Sequence, residues 1–222
     1  MTTMERMLSA TKDIWAQYHT HPFVTGLRDG TLDQEKFRFY IVQDYLYLRD
    51  YARVFGVGAA KARDLDLMRI FANYIGVLLN GEMNLHLGYT GAMSITKEEL
   101  DNTPVHPVNR SYTSYMIRCA YEGGEPEVLA AVLSCAYSYE VIAHTMAAER
   151  PESMDHPLYG EWVRGYCHEG YHAENQVMID AFEKCTKDLS EDRLRHLEEI
   201  FTACSLYELD FWNMAWNCKD CI

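Results

Sequence analysis

The sequence predicts an all-α bundle of antiparallel helices, and three observations carry that prediction. Apolar residues recur at spacings of three and four through most of the chain, which is the period of one helix face. No apolar–polar alternation of the strand kind lasts long enough to compete. Cap and breaker residues fall between the periodic segments and leave short loops. With 222 residues, no linker and no low-complexity segment, the whole chain, 1–222, reads as one domain.

The elements follow in order. Thr2 and Glu5 form a capping box for a first helix running to about His19. His21-Pro22 and Gly26 to Gly30 read as the first loop, with His19 and His21 as capping or loop residues. Thr31 with Gln34 reads as a second capping box, opening a long helix through Ala62. A third helix is predicted from Leu65 to about Leu87, then a loop from Gly88 to Pro107 with a short helix at Lys97–Leu100. Asn109 is the expected cap of a helix to Tyr121, stopped by Gly123-Gly124. Pro126, at a first-turn position, opens the next helix, to about Ala148. Pro151 to Pro157 reads as a loop, followed by a short helix to Cys167 and another from about Tyr171 to Lys187. Ser190 caps the last long helix, Glu191 to Asn217.

Composition narrows the function classes. Hydrophobic residues make up 48% and charged residues 24%, which suits a well-cored globular chain. No stretch approaches about 18 uninterrupted apolar residues, so no membrane span is expected. The N-terminal MTTMERMLSATKD lacks an apolar signal segment, and the expectation is a soluble cytoplasmic protein. A net charge of −13 with scattered acids argues against a nucleic-acid partner, which needs a basic footprint. The seven cysteines lack metal-knuckle spacing; only Cys218 and Cys221 form a CKDC, read as a fraying tail rather than a redox pair.

Three long helices carry the same anomaly. Phe37, Ile41, Asp44, Leu48, Tyr51 and Phe55 form an inward stripe whose only charge is Asp44, with Tyr47 one turn on. Leu194, Leu197, Phe201, Cys204, Glu208, Phe211 and Ala215 form another, whose only charge is Glu208. Val128, Val132, Cys135, Tyr139, Ile142 and Met146 place a thiol and a phenol on a third. Singly, each has a structural reading: a buried Cys is a small hydrophobe, and tyrosines fill cores. Together they describe a pocket for a small, flat, polar-edged ligand, built from facing helices. A thiol is the best neutral-pH nucleophile, and of two carboxyls sharing an apolar pocket one is pushed toward its acid form and can donate a proton.

At these residues the chain resembles the TenA family, also called thiaminase II or aminopyrimidine aminohydrolase. The matching stretches are HPFVTGLRDGTLDQEKFRFYIVQDYLYL (His21–Leu48), SCAYSYE (Ser134–Glu140), HPLYGEWVRGY (His156–Tyr166) and YELDFW (Tyr207–Trp212). The resemblance implies a heme-oxygenase-like all-α fold and a homotetramer. It implies hydrolysis of 4-amino-5-aminomethyl-2-methylpyrimidine to its hydroxymethyl counterpart and ammonia, in thiamine salvage, with thiamine cleaved more slowly. Cys135 places the chain in the cysteine-bearing branch as the implied nucleophile, with Asp44 and Glu208 as the acidic residues. Tyr47, Tyr112, Tyr139, Tyr166 and Phe211 are the implied pocket aromatics, and no cofactor or metal is called for.

The sequence also admits two rival readings. Glu82 and His86, Glu140 and His144, and the cluster His168, Glu169 and His172 have spacings that suit a di-iron oxidase, although i, i+4 Glu–His pairs are ordinary helix chemistry. A non-enzymatic regulatory or partner-binding protein is the other, against which no helix is basic enough to enter a DNA groove. No Gly-rich phosphate loop occurs, which disfavours a nucleotide kinase.

Overall fold

The computed structural model describes residues 1–82, 93 and 95–218, with the backbone alone at 81 and 82. Helix α1 (Thr3–Thr20) starts with the expected reciprocal box: Glu5 N donates to Thr2 Oγ1 and Thr2 N to Glu5 Oε2. The next segment corrects the sequence reading. Residues taken as a loop form α2 (Pro22–Asp29). Pro22 sits at the first turn, where its missing N–H costs nothing, and Gly30 closes the helix at φ +70°. Phe23, Val24 and Leu27 are its buried face.

The long helix α3 (Gln34–Lys61) opens on Asp33 rather than Thr31, because the Asp33 carboxylate accepts from Glu35 N at 2.8 Å. Helix α4 (Leu65–Val77) passes directly into a π-helical turn at Leu78–Glu82; residues 83–87 of the expected helix lie outside the described residues. Helix α5 (Lys97–Asn102) extends the predicted short helix by one turn or less. Helix α6 (Pro107–Glu122) is capped by His106, whose Nδ1 accepts from Val108 N. Asn109, the expected cap, is instead buried within α6, and its Nδ2 donates to Gln43 O at 2.7 Å.

Helix α7 (Glu125–Glu149) is the axis of the molecule, with 16 residues buried along it. Among the described residues it alone is long and apolar enough to span a bilayer, but 78% of its apolar window is buried by neighbouring helices. The segment read as a loop after it contains a 3-10 turn, Pro151–Asp155. Helices α8 (Gly160–Cys167), α9 (Glu169–Thr186) and α10 (Glu191–Trp216) complete the bundle close to the predicted bounds. His21, His106 and His168 all cap helices through Nδ1, a role open only to the neutral ring.

Helix α7 packs on α10, α9, α8, α6 and α3, while α3 packs on α4, α6 and α10. The three anomalous stripes therefore meet in one core. No strand occurs among the described residues.

Candidate active site

Asp44, Cys135 and Glu208 are 4%, 8% and 2% exposed, so the inward direction of all three stripes is correct. Gln43 holds the register of α3 at this point. Its side chain accepts from His106 N at 2.9 Å and donates to Pro104 O at 3.2 Å, which ties the turn beside Asp44 to the start of α6.

A narrow cleft opens between α3, α4, α7, α8 and α9. Asp44, Tyr47 and Tyr51 of α3, Cys135, Ala136 and Tyr139 of α7, and Tyr166 of α8 form its inner walls. Tyr171, Glu174 and Asn175 of α9 and Tyr74, Val77 and Leu78 complete it. It leaves about 30 Å³ for water-sized molecules, which makes it a slot rather than a chamber.

Aromatic packing shapes both walls. Tyr47 stacks on Tyr51 at 5.2 Å, and Tyr112 and Phe211 brace Tyr47 from behind at 5.3 and 5.7 Å. Tyr51 Oη donates to Val132 O at 2.8 Å, pinning α3 to α7. On the other wall Tyr139 and Tyr166 pack at 4.9 Å, and Tyr166 meets Tyr171 edge-on at 5.0 Å. Burial pushes the phenols of Tyr40, Tyr47, Tyr112 and Tyr139 far above their ordinary value, so they stay protonated and act as donors.

Glu208 sits behind this lining, on α10. Burial, and then the nearby Asp44 charge, push its carboxyl up to about 8. Tyr112, Tyr139 and Cys135 draw it down only in part. Tyr112 approaches without hydrogen-bond geometry: Glu208 Oε2 and Tyr112 Oη are both buried and lack a hydrogen-bond partner among the described residues. A neutral carboxylic acid beside a thiol and a second carboxylate is the equipment of proton donation to a leaving group.

Of the eight residues singled out from the sequence, Asp44, Tyr47, Cys135, Tyr139 and Tyr166 line the cleft. Tyr112, Glu208 and Phe211 form the shell behind it. Sequence reasoning missed the α9 wall of Tyr171, Glu174 and Asn175, and the Tyr74 end of α4. Tyr74 carried a signal, since it lies on the inner stripe of its helix; the α9 residues sit in a polar run with none.

Among the described residues no three His, Cys, Asp or Glu side chains gather as a metal site. Glu140 faces α9 rather than His144, which is exposed, and engages His172 and Asn175. His168 is also exposed and caps α9. The Glu82 side chain, His86 and Cys221 lie outside the described residues.

A family model described as TENA/THI-4/PQQC matches residues 8–218. The chain belongs to this family. It is 41% identical over 217 residues to the aminopyrimidine aminohydrolase of Helicobacter pylori, covering 98% of this chain and 100% of the relative. It is 39% identical over 204 residues to the enzyme of the same name from Halalkalibacterium halodurans, covering 92% and 91%. Among solved structures, a TenA family transcription regulator from Silicibacter superposes with a TM-score of 0.90 at 27% identity, covering 97% and 96%. A TenA homologue from P. horikoshii superposes at 0.88 with 28% identity, covering 97% and 99%. The all-helical bundle expected from periodicity is the TenA fold.

Proposed function

We propose that this protein is an aminopyrimidine aminohydrolase (thiaminase II) of thiamine metabolism. It converts 4-amino-5-aminomethyl-2-methylpyrimidine and water to the 5-hydroxymethyl pyrimidine and ammonia, and cleaves thiamine more slowly. The observation that carries this reading is the meeting of a thiol, a carboxylate and a carboxyl raised to about 8 around one aromatic slot. The names of two relatives that match nearly end to end support the same reaction.

In this reading the slot clamps the flat ring between tyrosines, and Asp44 accepts an N–H from the 4-amino group and, with the adjacent ring nitrogen protonated, a second from the ring. Cys135 adds as the thiolate to an electron-poor ring carbon beside a ring nitrogen. The electron pair displaced into the ring breaks the bond between the exocyclic methylene and its amine, and Glu208 supplies the proton with which ammonia departs. Water then adds to the methylene, its proton returning to Glu208, and the thiolate is expelled as aromaticity is restored. The shape of the slot serves this sequence, since a ring held edge-on to Asp44 leaves its face to the thiol.

The acidic surface and the resemblance support a cytoplasmic salvage enzyme assembled as a homotetramer, in which residues 1–222 form one domain, with no nucleic-acid or membrane partner. Ammonia release from the aminomethyl pyrimidine, wild type beside Cys135→Ala, tests the reading. Release by the wild type alone is expected. No release by folded wild type, or full release by Cys135→Ala, overturns it.

A further inference from the structure

Helix α9 brings to the cleft a buried amide whose orientation is dictated by its neighbours. Asn175 is 2% exposed. Its Nδ2 donates to Glu140 Oε2 at 2.6 Å and to Ala136 O at 3.2 Å. A carboxylate and a backbone carbonyl only accept, so the nitrogen must face them and both its hydrogens are committed. Glu140 is itself 6% exposed and is held by His172 Nδ1 at 2.6 Å. Tyr171 Oη donates to the same Ala136 carbonyl at 2.9 Å, so that oxygen takes two bonds.

The remaining atom of the amide, Oδ1, makes no hydrogen bond among the described residues, yet it is not sealed in protein. Asn175 lines the slot together with Cys135, Ala136 and Tyr139. A preset acceptor in the wall of a ligand cleft is an invitation to a donor.

We propose that Asn175 is a substrate-binding residue whose Oδ1 accepts an N–H from the exocyclic amine of the ligand, and that Glu140 and His172 are the positioning residues that aim it. The proposal rests on the aminohydrolase reading. Asp44 and Asn175 reach the cleft from different helices, α3 and α9. With Asp44 on the amidine edge, the aminomethyl group projects from the carbon next to the one that Cys135 attacks. Asn175 is bonded to the residue after Cys135 and therefore stands on that side of the ring. The amine or ammonium offers N–H donors there. The thiazolium leaving group of thiamine offers none, so this contact selects the amine over thiamine.

The test is the ratio of kcat/KM for the aminomethyl pyrimidine to that for thiamine. Asn175→Ala and Glu140→Leu are expected to lower this ratio at least tenfold, the value of one hydrogen bond to a charged group. Glu140→Gln retains most of it, because its carbonyl still receives Asn175 while its amide meets the His172 ring nitrogen. A parallel loss on both substrates would make the network a scaffold alone and overturn the proposal, as would an unchanged ratio. Should the two core variants fail to fold, His172→Ala, at an exposed position, carries the test: a fall of threefold or more supports the proposal, and no change overturns it. Wild type inactive on both substrates would instead refute the aminohydrolase reading.

Discussion

Glu208→Gln separates the cost of the raised carboxyl from everything else in the core. The folded protein holds this proton up to about pH 8, whereas the group in an unfolded chain releases it near 4.5. Folded protein therefore binds more protons than unfolded protein between those two values, and stability falls as pH rises through the window. At about 1.4 kcal/mol for each pH unit, the full span comes to roughly 5 kcal/mol above pH 8. Glutamine has the same shape and no proton to lose. The difference in unfolding free energy, variant minus wild type, is thus expected to be flat below pH 4.5, to climb in favour of glutamine between pH 5 and 8, and to level off beyond. For a chain of this length that is a gain of about 10 °C in Tm at pH 9, near zero at pH 5. Urea or thermal unfolding at pH 5, 7 and 9, read by circular dichroism, decides it. Parallel curves for the two proteins across that range would mean that Glu208 titrates normally, and the proton donor would have to be sought elsewhere. The same carboxyl predicts that turnover falls as pH rises past about 8 and that Glu208→Gln, though more stable there, is inactive.

Asp44→Asn removes a charge-assisted contact and is expected to weaken binding of the hydroxymethyl pyrimidine about 10- to 100-fold by calorimetry; unchanged affinity would remove Asp44 as the anchor. Because the Asp44 charge helps to raise Glu208, any residual turnover in Asp44→Asn should decline at a lower pH than in the wild type. His106→Ala loses the cap of α6 and should cost about 1 kcal/mol at pH 8 by urea unfolding. Burial lowers the His106 pKa, so its contribution is complete above the ordinary histidine value and disappears as pH falls. The gap between wild type and His106→Ala should therefore close toward pH 5, and a gap that stays constant would show that the ring caps nothing.

The parts of the fold that were legible in the sequence are those written in helix period. Asp44, Cys135 and Glu208 stand out because each interrupts an apolar stripe, and period alone places them inward. The α2 segment was misread because Pro22 and Gly30 look like breakers, when they are the opening and closing residues of one short helix. The His106 cap escaped the usual Ser, Thr, Asp and Asn pattern, which moved the expected start of α6 to Asn109. Asn175 was invisible for a different reason. Its importance comes from Glu140 and Ala136, 35 and 39 residues away, and no local pattern records a pairing across two helices.

The tyrosines explain how so polar a site survives in the core. Phenylalanine at Tyr47, Tyr51 and Tyr139 would fill the same space and avoid burying hydroxyls. Phenols held protonated by burial supply dipoles without adding charge, and Tyr51 spends its proton on Val132 O to brace the wall. Glu208 is neutral below about pH 8 for the same reason, so near neutral pH the inward stripes do not carry two buried negative charges. The arrangement confines the formal charge of the stripes to Asp44, the residue placed to meet an amidine edge. Adding a second fixed anion, for instance by Tyr139→Asp, would raise the Glu208 carboxyl further and remove a ring from the slot at once. The site tolerates acid and thiol together because the phenols packed around them are donors that burial keeps protonated.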